Sequence, residues 1–135
     1  MLTPTIRQIL GAITSVVTAM GVIMLVETVG HTVSGGPAMP DVNNAEAVAA
    51  YAASLPMGSL ISVLIAWVGG TAAGVIAGSI IAPGRSFFIA IMVGALVLLG
   101  AVMQLMQFPH PMWLVVSSMI GIPVAAFLTA RAMQR

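Results

Sequence analysis

The chain has 135 residues, of which 60% are hydrophobic and only 5% charged, with a formal net charge of +1 and a mean hydropathy of +1.15. A soluble domain carries roughly 25% charged residues, so this composition cannot cover a water-facing surface and describes an integral membrane protein with one compact domain, residues 1–135. The absence of lysine and of any basic run excludes a nucleic-acid partner, and the absence of cysteine removes disulfides, thiolate metal sites and thiol redox chemistry.

A membrane-spanning helix needs about 20 mostly apolar residues, and four segments supply them. The first runs over about residues 5–29, with Thr3 as a plausible N-cap and Pro4 at the first helical position. Its run from Ile9 to Val29 is too long for the apolar core of a signal peptide and is expected to be retained as a spanning helix. A long connection, residues 31–55, follows. Ser34-Gly35-Gly36-Pro37 through Pro40 is turn-rich. Asn44–Ser54 is alanine-rich, with Asp41 or Asn43 available as a cap, and reads as a short helix on the outer membrane surface with Val48, Tyr51, Ala52 and Leu55 as its apolar stripe. The second span covers about 56–82 and is stopped by Pro83-Gly84. The third covers about 86–107 and ends before Pro109. The fourth covers about 111–131, with Pro123 expected to kink it. The two tight turns, Ala82–Arg85 and Phe108–His110, force antiparallel neighbours. The expected fold is therefore an all-α bundle of four transmembrane helices with a short surface helix in the first loop.

Charge gives this bundle a direction. Arg7, Arg85, Arg131 and Arg135 fall on the side of the termini and the turn between spans two and three, while Glu27, Asp41 and Glu46 fall on the other. The positive-inside rule then places both termini in the cytoplasm and the long loop outside.

Lipid tails are as apolar as leucine, so helices associate in a bilayer through close contact at small residues. The second span carries Gly58, Ser62, Ala66, Gly70, Gly74, Gly78 and Ala82 at every fourth position, which is one helix face. The fourth offers Ser117, Gly121, Ala125 and Thr129, the first Gly11, Ser15 and Ala19, and the third Ala90 and Gly94. Such a face serves either packing within one protomer, or an interface between copies of the chain, or a ligand groove.

The polar residues gather at the outer boundary. Glu27 and His31 are four apart and share a helix face, with Glu27 about 5 Å inside the end of the first span at 1.5 Å per residue. His110 lies in the outer turn between Pro109 and Pro111, and Gln104 and Gln107 lie at the same level on the third span. Glu27, His31 and His110 are candidate ligands for zinc or iron, and the two histidines for a haem. Alternatively, Glu27 bonds His31 or loop amides and His110 caps its turn. No motif calls for a cofactor. There is no zinc-protease helix, no phosphate-binding loop, no Ser/His/Asp set and no charge at mid-membrane depth, so no catalytic residue is assigned. Small multidrug exporters share the size and helix number, but their key glutamate is deep in the first helix and their loops are short.

The block Ser54-Leu55-Pro56, Ala66-Trp67, Gly70-x-x-x-Gly74 and Pro109-His110-Pro111-x-Trp113, with Glu27 and Gly30-His31, resembles a group of small uncharacterised bacterial four-helix membrane proteins. The resemblance spans nearly the whole chain. It implies the same topology in a bacterial cytoplasmic membrane and carries no known activity. The expected function is an accessory or scaffold subunit acting through helix packing, against itself or another membrane protein. The alternatives are an oligomeric small-solute or proton-coupled transporter or channel with Glu27 at its outer mouth, and a metal- or haem-binding membrane protein.

Overall fold

The computed structural model describes residues 1–134; Arg135, expected with the other arginines, lies outside the described residues. Five helices follow in order: α1 (Pro4–Val33), α2 (Ala45–Ser54), α3 (Met57–Ile81), α4 (Ser86–Gln107) and α5 (Met112–Ala132), with no strand among the described residues. Helices α1, α3, α4 and α5 are each long and apolar enough to cross a membrane. Large side chains such as Ile13, Leu25, Ile65, Ile91, Leu99 and Phe127 point outward from the bundle, which is where lipid takes the place of a core.

Local chemistry sets most of the boundaries. Thr3 caps α1, its hydroxyl accepting from the Ile6 amide at 3.3 Å, and Pro4 opens the helix. The Asn44 side chain, rather than Asp41 or Asn43, caps α2 by accepting from the Ala47 amide at 3.1 Å. Asp41 instead turns the chain just before it, accepting from the Asn43 amide at 3.0 Å. Pro56 and Pro111 sit at the N-cap positions of α3 and α5, where the missing amide costs nothing. Helix α5 continues through Pro123 to Ala132.

The first helix departs from expectation. It does not end near Val29 but continues through Gly30 and His31 to Val33, so the loop begins at Ser34. Gly35 adopts φ +68°, and the Gly36 amide bonds the His31 carbonyl at 2.9 Å while the Gly35 amide bonds that of Thr32 at 3.3 Å. That pair of bonds across a left-handed glycine is a Schellman stop. The stop falls at Gly35 because Gly30 is needed inside the helix, where a Cβ would collide with Ser62 of α3. Glu27 therefore lies six residues before the end of α1, about 9 Å along the axis at 1.5 Å per residue, rather than about 5 Å.

Helix α3 is the central strut, packing against α1, α4 and α5. Its small-residue row meets α1 along its whole length. A Cβ on Gly78 would lie 2.7 Å from the Gly11 carbonyl oxygen, and one on Gly74 would lie 2.6 Å from that of Ser15 and 2.9 Å from the Ala19 Cβ. One on Gly70 would lie 2.5 Å from Ile23, and Gly58 faces Ser34. The order of these pairs makes α1 and α3 antiparallel. In this structure the face formed by Ser62, Ala66, Gly70, Gly74 and Gly78 is occupied by α1 of the same chain, while Gly58, at its exposed end, meets the α1 C-cap residue Ser34. The Arg7 guanidinium Nε–H donates to the Ile81 carbonyl at 3.2 Å, closing the end of α3 beside the Pro83-Gly84 turn.

On the other side, α3 packs directly on α5 as well as on α4. The row of α5 that is buried is Leu114, Ser118, Ile122, Ala126 and Ala130, one position round from Ser117, Gly121, Ala125 and Thr129, which are half-buried at its edge. Two buried hydroxyls are satisfied within their own helices: Thr71 Oγ1 donates to the Trp67 carbonyl at 2.7 Å and Ser118 Oγ to that of Leu114 at 2.8 Å. Two ends result. Arg7, the α3–α4 turn with Arg85, and Arg131 in the last turn of α5 mark one. Glu27, the loop with Asp41 and Glu46, and the α4–α5 turn with His110 mark the other.

Candidate functional site: a cavity at the acidic end

At the acidic end, a partly open cavity of about 390 Å³ lies between the ends of α1, α3 and α4, with the α4–α5 turn and α2 along its margin. Glu27, Thr28, His31 and Thr32 of α1 line one wall, and Ser59, Leu60 and Val63 of α3 the opposite one. Gln104 of α4 with Phe108 and His110 of the turn close the third side. Tyr51 and Leu55 of α2 and Met39 of the loop lie over it.

Each polar group arrives there for a local reason. Glu27 and His31 share a face of α1 because the helix runs unbroken past Gly30. The His31 Nε2–H donates to the Pro37 carbonyl at 2.8 Å, which folds the glycine-proline loop back over its own helix. Gly36 lies against the same imidazole, where a Cβ would collide with the ring. His110 donates from Nδ1 to the Phe108 carbonyl at 2.6 Å. A carbonyl only accepts, so the neutral ring keeps its lone pair on Nε2. Glu27 Oε1 is buried with no partner. The Ser59 hydroxyl, in the cavity wall, is also buried and unpartnered.

Helix α2 is held here by side chains alone: none of its Cα atoms comes within 8 Å of one in another helix. Val48 is buried, Tyr51, Ala52 and Leu55 are half-buried, and the positions between them are exposed, so the apolar stripe faces the bundle. The Tyr51 ring stacks obliquely between His31 (centroids 6.5 Å apart) and Phe108 (5.9 Å). Partial burial, and secondarily the charge of Glu27, raise the Tyr51 phenol above its ordinary pKa.

Of the five residues marked from sequence as an outer-rim site, the structure brings Glu27, His31, Gln104 and His110 around one cavity. Gln107 is exposed and outside it; three residues on from Gln104, it is turned about 60° round the helix at 3.6 residues per turn. As metal ligands the three candidates do not come together: no group of three His, Cys, Asp or Glu side chains that could hold an ion occurs among the described residues. Tyr51, Phe108 and Met39, which also line the cavity, carry no mark in the sequence as site residues. The signal for Tyr51 was its place in the apolar stripe of α2, which had to cover something.

A second, smaller groove of about 210 Å³ between α4 and α5, lined by Phe87, Gly94, Leu98, Pro123 and Phe127, is apolar throughout. It lies on the outward side of the bundle, where Phe87 and Phe127 stack at 5.7 Å.

Comparison of the chain with protein-family models, with curated proteins and with solved structures finds no match.

Proposed function

We propose that this chain is a small multi-pass membrane protein that receives a small solute in the cavity at its acidic end, as a transporter or channel element would, with Glu27 as the polar centre of the site. The observation that carries the reading is Glu27 itself: a carboxylate with one oxygen buried and unpartnered on the wall of a cavity of about 390 Å³. Ligand sites are concave, mostly apolar and furnished with a few convergent polar groups, and an ionisable group within a spanning helix is a functional candidate by default. The accessory-subunit reading has less support, because the row on α3 that suggested an interface with another chain is taken up by α1. The arginine distribution supports cytoplasmic termini, and the resemblance to small bacterial four-helix proteins supports a bacterial cytoplasmic membrane.

A solute cavity must be reachable from water. With no native cysteine, Ser59→Cys in the cavity wall is a single reporter, and Ser79→Cys, equally buried on α3 but far from the cavity, is its control. A small water-soluble methanethiosulfonate is expected to modify the first in membranes and leave the second unmodified. An unreactive Ser59→Cys in a folded protein would remove the cavity from consideration.

A further inference from the structure

Resting on the reading of the cavity as a ligand site, we infer that its ligand is an organic cation, an ammonium or guanidinium group carried on an apolar body. Among the described residues, the Glu27 carboxylate has no arginine or lysine partner. The chain has no lysine, and its described arginines all belong to the opposite end of the bundle. Arg7 is twenty residues along α1 from Glu27, about 30 Å at 1.5 Å per residue. A buried carboxylate group is stable when it is paired or fully hydrogen-bonded, and here Oε1 has neither kind of partner. The missing counter-charge is therefore supplied by what enters.

The rest of the lining selects the same chemistry. The lining offers acceptors to a donor-bearing ligand: the carboxylate of Glu27 and, in its neutral form, Nε2 of His110, with the Gln104 amide able to accept as well as donate. Ring faces complete the set. Tyr51 and Phe108 lie 5.9 Å apart at the margin of the cavity, and aromatic faces attract a cation within about 6 Å of their centroids. Met39, Leu60 and Val63 then take the apolar body. A bare metal ion fits poorly, because the cavity is far larger than a coordination sphere and the histidines and glutamate do not converge. An anion would meet Glu27 with no positive charge to offset it.

The test uses one molecular frame with three head groups: 4-phenylbutylamine, 4-phenylbutanol and 4-phenylbutyrate, titrated calorimetrically into the full chain in lipid nanodiscs, with empty nanodiscs subtracted. The amine is expected to bind at least about tenfold more tightly than the alcohol, and the carboxylate more weakly than either. In Glu27→Gln, amine affinity is expected to fall to that of the alcohol. Phe108→Leu, which leaves the carboxylate in place, is expected to weaken the amine several-fold and leave the alcohol unchanged. Alcohol binding equal to amine binding would overturn the organic-cation assignment while leaving a ligand cavity. Failure of all three to bind would overturn both.

Discussion

Tyr51 is the only tyrosine in the chain, so its phenol is a direct probe of the acidic end. Burial and the nearby Glu27 charge both disfavour phenolate, and its pKa is raised above the ordinary value of about 10. For an acid whose folded pKa lies above its unfolded one, the neutral form is the one the fold prefers. The contribution to docking α2 is then fully present below the unfolded pKa and is lost as pH rises through the folded one. The cap over the cavity is thus insensitive to this group across the neutral range and released by it only in alkali. An ultraviolet titration of the phenol is expected to show a raised midpoint that moves down in Glu27→Gln, because one of its two causes has been removed. A midpoint unmoved by that substitution would mean that Tyr51 does not sit within reach of the Glu27 charge.

Among the helices, the contact of α1 with α3 depends most on residue size. Gly74→Ala places a methyl 2.6 Å from the Ser15 carbonyl oxygen and 2.9 Å from Ala19. Backbone cannot swing aside as a side-chain tip can, so α1 must shift. Overpacking of this kind costs about 1–3 kcal/mol. Gly69, five residues earlier on α3, has nothing within 4 Å of where its Cβ would be, and Gly69→Ala is expected to be neutral or, through helix propensity, stabilising by up to about 1 kcal/mol. Reversible unfolding of the two variants in detergent measures the difference; equal stabilities would contradict the intramolecular packing. The same helices show what can be read from sequence. The α3 row and its α1 counterpart of Gly11, Ser15 and Ala19 were legible because close backbone approach leaves only small residues at every fourth position. The buried row of α5 was not, because Leu114 and Ile122, both fully buried, carry as much of that interface as its small residues do, and a size pattern marks the wrong face by one position. The extension of α1 was hidden for a related reason: Gly30 looks like a stop but is a packing residue. At the cavity, the level of Glu27, His31, Gln104 and His110 could be counted along each span. Which way Gln107 turned, and what α2 covered, depended on how the helices are rotated against one another.

At the scale of the whole molecule, the two ends differ in charge in a way that a membrane reads. Arg7, Arg85 and Arg131 belong to one end; Glu27, Asp41 and Glu46 to the other. Short arginine-bearing segments beside a span are retained on the cytoplasmic side, whereas acidic residues contribute little to orientation. The three described arginines agree with one another and support the proposed placement of their end in the cytoplasm. Arg7 is additionally bonded to the Ile81 carbonyl, which places its end of α1 beside the turn bearing Arg85. Under the proposed orientation the cavity opens away from the cytoplasm, with Glu27 on the side from which an external solute would enter. Single cysteines test this cleanly in a chain that has none. Val42→Cys, exposed in the long loop, is expected to react with a membrane-impermeant maleimide in intact cells, and Gln134→Cys at the other end only after permeabilisation. The reverse pattern would keep the bundle and turn the cavity toward the cytoplasm. Labelling of both in intact cells would break the four-span topology itself, because an even number of crossings puts both termini on one side and the long loop on the other.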